Sequence, residues 1–148
     1  MILLDTNVLS ELMRPAPEPR VVQWLDACSD EDLWVSAVTE AEILLGIRLL
    51  PNGRRREALA ELARRMFEED FPDRCLPFDA AAAGRYAEIV ATRTRHGSPI
   101  SVEDAQIAAI ARAGGLTLAT RNVRDFAGIE GLKLVDPWNS QKGDLHVG

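Results

Sequence analysis

Apolar residues recur along this chain with two spacings, short unbroken runs and a three-to-four-residue repeat, and they alternate from one end to the other. Ile2-Leu3-Leu4-Asp5 opens the sequence as a short buried strand, and a helix is expected from about Asn7 to Met13. Pro15-Ala-Pro-Glu-Pro19 ends that helix, and Pro19 suits the first turn of the next, which runs to about Cys28. Leu33-Trp-Val-Ser36 predicts a second strand, followed by a helix to about Leu50 and a turn at Pro51-Asn-Gly53. From Arg54 to Phe71 the pattern is a long amphipathic helix with Leu59, Leu62, Ala63 and Met66 on one side.

The second half repeats the alternation. Arg74 to Phe78 predicts a third strand, and Asp79 can cap the alanine-rich helix that runs to about His96. Ser98-Pro99 breaks the chain, Ser101 caps a helix through Ala113, and Gly114-Gly115 closes it. Leu116 to Thr120 and Leu132 to Val135 are the fourth and fifth strands. Such alternation predicts an α/β fold, a mostly parallel sheet of about five short strands with helices on both faces. One domain over residues 1–138 is expected, with a polar tail over 139–148.

Composition narrows the class. Of 148 residues, 47% are hydrophobic but only 5% aromatic, so the core must come mainly from Ala, Leu, Val and Ile. No apolar run approaches the roughly 20 residues that cross a bilayer. Asp5 and Glu11 interrupt the apolar stretch at the N-terminus, unlike a signal peptide, so a cytoplasmic protein without a membrane partner is expected. Cys28 and Cys75 are isolated, as structural thiols of a reducing compartment would be, and His96 and His146 form no zinc pattern. No histidine stands where it could activate a serine or cysteine nucleophile. The net charge is −6, although 15 of the 17 cations are arginines, which suit phosphate contacts. Charge by itself does not decide for or against a nucleic-acid partner.

Four acids stand apart from the solvated helix faces. Asp5 ends the first strand, Glu42 lies in the first turns after the second, Asp104 begins the helix after Ser101, and Asp125 follows the fourth strand. In an open parallel sheet the strand ends share one edge, where ligands bind. Asp5 and Asp125 follow strands to it directly and Glu42 through a short loop, whereas the place of Asp104 there rests on family resemblance alone. Carboxylates gathered there repel one another unless a cation joins them. Oxygen ligands without His or Cys favour Mg²⁺ or Mn²⁺, and those ions suit phosphodiester hydrolysis. A plainer reading stands beside this one. Thr39-x-x-Glu42 and Ser101-x-x-Asp104 fit the capping box, Asp5 can cap the first helix, and Asp125 can be a turn residue.

The motifs together resemble the PIN-domain family, in particular the VapC-like and FitB-like toxins of bacterial toxin–antitoxin pairs. Met1-Ile-Leu-Leu-Asp5-Thr-Asn-Val-Leu-Ser-Glu11 is similar to the family's opening strand with its metal-binding aspartate. Val35 to Gly46 resembles the second motif, its glutamate falling on Glu42, and Asp104 to Ala111 resembles the third, its aspartate falling on Asp104. Leu118-Ala-Thr-Arg-Asn-Val-Arg-Asp125-Phe126 resembles the fourth, with Asp125 favoured over Asn122 to complete the site. The resemblance implies a PIN-like, Rossmann-like three-layer fold and a toxic ribonuclease with Asp5, Glu42, Asp104 and Asp125 as catalytic residues. It implies Mg²⁺ or Mn²⁺ held by Asp5, Glu42 and Asp104, an RNA substrate, a small antitoxin seated near Leu9–Met13, Val21–Leu25 and the helix from Arg54, and a homodimer. Thr6, Asn7 and Thr120 lie beside these motifs, where they can either hydrogen-bond the acids or serve helix capping and strand termination.

Two other functions compete. Asp5-Thr-Asn7-Val resembles the DxDx motif of haloacid-dehalogenase phosphatases, but the second acid is Asn7, and the lysines, Lys133 and Lys142, occupy no usable strand end. A non-catalytic receiver-like module would use Asp79 after the third strand, yet Asp5 lacks the acidic neighbour such a module wants.

Overall fold

Among the described residues five short strands, all parallel, form one sheet, and the central one is the first in sequence. The computed structural model describes residues 1–140. The strands are β1 (Ile2–Leu4), β2 (Leu33–Ser36), β3 (Cys75–Leu76), β4 (Thr117–Ala119) and β5 (Leu134–Val135), in the order β3-β2-β1-β4-β5. β1 pairs on one side with β2, Ile2 opposite Leu33, and on the other with β4, Leu4 opposite Ala119. The chain therefore builds outward from β1 in one direction and returns to build in the other. That reversal opens a crevice between the ends of β1 and β4, where ligands of open α/β sheets bind.

Seven helices cover the sheet: α1 (Thr6–Leu12), α2 (Pro19–Asp26), α3 (Ala37–Arg48), α4 (Arg54–Arg65), α5 (Ala80–Arg95), α6 (Val102–Gly114) and α7 (Val123–Phe126). Successive residues of β1 point to opposite faces. Ile2 and Leu4 join a core with Val8, Leu9, Val21, Trp24, Ile43 and Ala63, so α1 to α4 close one face. Leu3 joins Ile89, Ile107, Ala108, Leu118 and Phe126 on the other, closed by α5, α6 and α7. The alanines of α6 let that helix lie close to the sheet, and Gly115, in the left-handed region at φ 68°, ends it.

The helices match the sequence pattern closely, with differences at their ends. α4 stops at Arg65 and continues as a π-helical turn, Met66–Asp70, where one continuous helix to Phe71 was expected. β3 is two residues rather than five, because Pro77 offers no N–H to the ladder. β5 begins at Leu134 rather than Leu132. A 3-10 turn at Asp30–Asp32 and helix α7 were not anticipated; α7 occupies the segment expected to be a turn around Asp125. Asp79, the residue a receiver-like module would use, caps α5 by accepting from the Ala82 N–H at 2.9 Å. Trp24, within the Val21–Leu25 stretch expected near an antitoxin, lies in the core at 4% exposed. The polar tail, with Lys142 and His146, lies beyond Ser140 and so outside the described residues. Among the described residues no helix is long and apolar enough to cross a membrane.

Candidate active site

Asp5 stands where β1 becomes α1, and three donors fix its carboxylate. Oδ1 accepts from the Thr6 N–H at 2.8 Å, while Oδ2 accepts from Asn7 Nδ2 at 3.1 Å and from the Thr120 hydroxyl at 2.8 Å. The side chain caps α1 and is only 2% exposed. Capping and site formation are thus the same contact, not alternatives. Thr120, at the end of β4, also accepts from the Asn122 N–H, and Asn7 Oδ1 accepts from the Arg121 N–H. These bonds tie the loop after β4 to the end of β1.

Glu42 projects from α3 toward the same point. The expected capping role is corrected here: Ser36, not Thr39, caps α3, accepting from the Thr39 N–H at 3.1 Å. Thr39 is fully buried, and its hydroxyl shares a 2.9 Å hydrogen bond with that of Thr6. Thr6 in turn donates to Glu42 Oε1 at 3.0 Å. Asp104 enters from α6, whose cap is indeed Ser101, accepting from the Asp104 N–H at 3.2 Å.

Asp5, Glu42, Asp104 and Asn122 line one pocket of about 550 Å³ with Glu11, Arg14, Arg121 and Trp138. Asp125 is not in its wall. It is exposed on α7, with its carbonyl accepting from Arg93 at 2.9 Å, yet its charge is close enough to raise the pKa values of Asp5 and Asp104. Burial pushes the Asp5 carboxyl above its ordinary 3.8, outweighing the three hydrogen bonds that favour its charged form. Burial also raises Glu42, helped by repulsion from Asp5, Glu103 and Asp104 and opposed by the Thr6 hydrogen bond. Asp104 is raised by burial and then by Asp5, against the easing effect of Ser101. All three acids are held where the charged form is less favoured than in water.

The sequence pattern did not single out Glu11. It lies on α1, 5% exposed, and accepts from Arg14 Nη1 at 3.3 Å and from the Glu18 N–H at 3.3 Å. An acid among the apolar positions of α1 was the available signal. The pairing with Arg14 one turn on is common on solvated helices and did not mark it as buried.

The donor set suits a hard cation. The pocket wall offers carboxylate, amide and hydroxyl oxygens and neither His nor Cys. Among the described residues no three acidic, His or Cys side chains are drawn close enough to make a complete ligand shell. An ion of the Mg²⁺ kind needs no such shell, since it binds through one or two carboxylates and keeps several waters. The residues present therefore fit a hydrated divalent ion rather than a caged one.

Comparisons with known proteins bear on the family and the fold. Residues 2–132 match the family model described as PIN domain. The chain is 43% identical to Toxin FitB of Neisseria gonorrhoeae, over 94% of this chain and 99% of that protein. It is 38% identical to VapC ribonuclease Y4jK of Sinorhizobium fredii, over 93% of this chain and 98% of that one. The crystal structure of FitAcB from Neisseria gonorrhoeae superposes with a TM-score of 0.87 at 43% identity, covering 95% of this chain and 100% of the matched chain. With four motifs in order, a five-stranded parallel sheet and a pocket of acids at its switch point, the chain belongs to the PIN-domain family.

Proposed function

We propose that the chain is a divalent-metal-dependent endoribonuclease, the toxin of a toxin–antitoxin pair, which hydrolyses RNA phosphodiester bonds at the Asp5–Glu42–Asp104 pocket. One observation carries the reading: three carboxylates from β1, α3 and α6 share an open pocket whose burial and mutual repulsion favour a cation among them. The likeness to a named ribonuclease and a named toxin supports it.

Asp5, Glu42 and Asp104 would hold Mg²⁺ or Mn²⁺, one or two of them directly and the rest through the ion's waters. Bound there, the ion would lower the pKa of a water and neutralise charge on the phosphate. The chain's own residues do the rest. Thr6, Asn7 and Thr120 hold the Asp5 carboxylate in one orientation. Thr6 occupies Oε1 of Glu42, leaving Oε2 free to face the ion or to take a proton from the attacking water. Asn122 offers the wall a neutral amide, and Asp125 adds negative charge from the rim.

The partners follow from the surface. A groove beside α1, lined by Leu12, Met13, Leu25, Leu62, Met66 and Phe71, suits an apolar antitoxin segment that brings an Arg or Lys to the acids. Leu44, Leu45 and Leu49 leave an exposed apolar strip on α3 that a second copy would cover in a homodimer. The cytoplasm, where RNA is translated, is the compartment in which such a toxin acts.

The experiment uses the antitoxin-free protein. With Mg²⁺ or Mn²⁺ it should cut single-stranded or structured RNA, and EDTA should stop the reaction. Cleavage that persists in EDTA, or hydrolysis of a small phosphate ester with no RNA cut, would sink the reading. The latter result would favour the phosphatase, and no activity on either would favour a binding module.

A second expectation concerns Thr120→Val. Removing the hydroxyl leaves Asp5 Oδ2 with Asn7 alone and strips the Asn122 N–H of its acceptor. Stability should fall by about 1–3 kcal/mol, as for other unsatisfied buried polar groups. Mn²⁺ affinity should drop by about 10–100-fold, the usual cost of losing a residue that orients a ligand. Calorimetric titration and melting curves measure both; unchanged Mn²⁺ affinity would detach Thr120 from the site.

A further inference from the structure

A pocket built for a cation is hostile to RNA. The chain carries a net charge of −6, and the pocket wall contributes Asp5, Glu11, Glu42 and Asp104. A polyanion will approach only where some cation answers its phosphates. Two arginines line the wall, and they are not equivalent. Arg14 Nη1 lies 3.3 Å from both carboxylate oxygens of the buried Glu11, so its charge is already answered.

Arg121 is different. Among the described residues it forms no ion pair, and no donor of its guanidinium is engaged in a hydrogen bond. Its guanidinium carbon lies 5.1 Å from the centre of the Trp138 ring. The backbone on both sides is fixed. The Arg121 N–H donates to Asn7 Oδ1 at 3.2 Å, and Trp138, 5% exposed, donates its own N–H to Asp136 Oδ1 at 2.9 Å. Stacking occupies the face of a guanidinium and leaves its edge donors available. Those edge donors match the fork geometry of a phosphate. The amide of the neighbouring Asn7 also holds Asp5, so Arg121 is one residue removed from the acids themselves.

We propose that Arg121, stacked on Trp138 at the pocket rim, grips an RNA phosphate beside the bond to be cut and so positions the strand over the acids. This rests on the ribonuclease reading. Arg121 is a substrate-binding residue here, with no part in the proton transfers. Trp138 supplies the platform that keeps the guanidinium from folding back onto the carboxylates.

The test compares the parent with Arg121→Ala and Arg121→Lys on a labelled single-stranded RNA that the parent cuts. Arg121→Ala should raise KM by about tenfold or more, the loss expected for one charge-assisted contact, with kcat changed far less. In EDTA, with no turnover, the affinity of each protein for the same RNA is measured at several salt concentrations. The slope of log affinity against log salt should become shallower by about 0.7 in Arg121→Ala, the share of one phosphate on a single strand. Arg121→Lys should keep the slope, since its charge remains, but recover only part of KM, since the planar fork is gone. If the alanine variant matches the parent in both KM and slope while the parent cuts RNA, the inference is overturned. A fall in kcat with KM and slope unchanged overturns it as well, because Arg121 would then act on the chemistry. A parent that neither binds nor cuts any RNA removes the ribonuclease reading itself, and the inference with it.

Discussion

Asp104→Asn is expected to lower RNA cleavage by about a thousandfold or more while leaving the metal-free protein as stable as its parent, or more so. The first half follows from the several kcal/mol that an ion contributes to phosphoryl transfer, each 1.4 kcal/mol being about tenfold in rate. The second half follows from repulsion. Asp104 is pushed up by burial and by Asp5, so removing its charge relieves both the buried Asp5 and the half-buried Glu42. If Asp104 served only the start of α6, the result would be the reverse. Losing a favourable charge at a helix N-terminus would cost about 0.3–1 kcal/mol and leave cleavage nearly intact. The Ser101 hydroxyl still accepts from the backbone N–H of residue 104 in the variant, so the cap itself survives. Mg²⁺ or Mn²⁺ should raise the parent's melting temperature by mass action and raise the variant's much less. Melting curves with and without metal, beside a cleavage assay, separate the two roles. A less stable, fully active variant with a normal metal response would remove Asp104 from the site.

Acidification is expected to act in opposite directions on the metal-free and metal-loaded protein. The folded pKa values of Asp5, Glu42 and Asp104 lie above their ordinary 3.8, 4.5 and 3.8. A group raised in this way binds its proton more tightly when folded. The stability it contributes is complete below its ordinary pKa and is lost as pH rises through the raised value. The metal-free protein therefore loses that contribution as pH rises through the raised values, and lowering the pH through them should restore it. The exposed Glu61, brought down to about 2 by Arg64, works the other way, but only below its ordinary 4.5. Metal binding needs the carboxylates ionised, so the same acidification should reduce the metal-induced rise in melting temperature. Cleavage should fall by about tenfold per pH unit for each carboxylate that must lose a proton. Melting temperatures from pH 7 down to the ordinary carboxylate values of 3.8 and 4.5, with and without Mn²⁺, provide the measurement. A metal response that stays constant over this window would mean the ion binds elsewhere.

Much of this was legible in the sequence, for a local reason. Asp5, Glu42 and Asp104 sit at fixed offsets from a strand end or a helix cap, and an element's end can be read from Pro, Gly and Ser without knowing its neighbours. The alternation of runs and repeats likewise foretold five strands and both faces of the sheet. What stayed hidden depends on residues far apart in the chain. Nothing in the side-chain pattern says that β1 lies between β2 and β4, since buried strands look alike from within. Ser36 and Thr39 both have the chemistry of a cap, and only the hydroxyl contact with Thr6 shows that Thr39 serves Glu42's side of the site. α7 has four residues, too few for a period to register. The stacking of Arg121 on Trp138 joins two segments that no local motif connects.

The place of β1 also sets a timetable. Asp5 precedes Thr120 by 115 positions, yet its Oδ2 is held by that residue, and its own N–H donates to the Ala119 carbonyl. One flank of β1 stays unpaired until β4 has been made, so a growing chain can assemble α1 to α3 and still lack an oriented Asp5. Contacts so distant in sequence form late, since the intervening loop must close before they repay its entropy. The Asp5 carboxylate is thus oriented only once the chain as far as Thr120 has folded back onto β1.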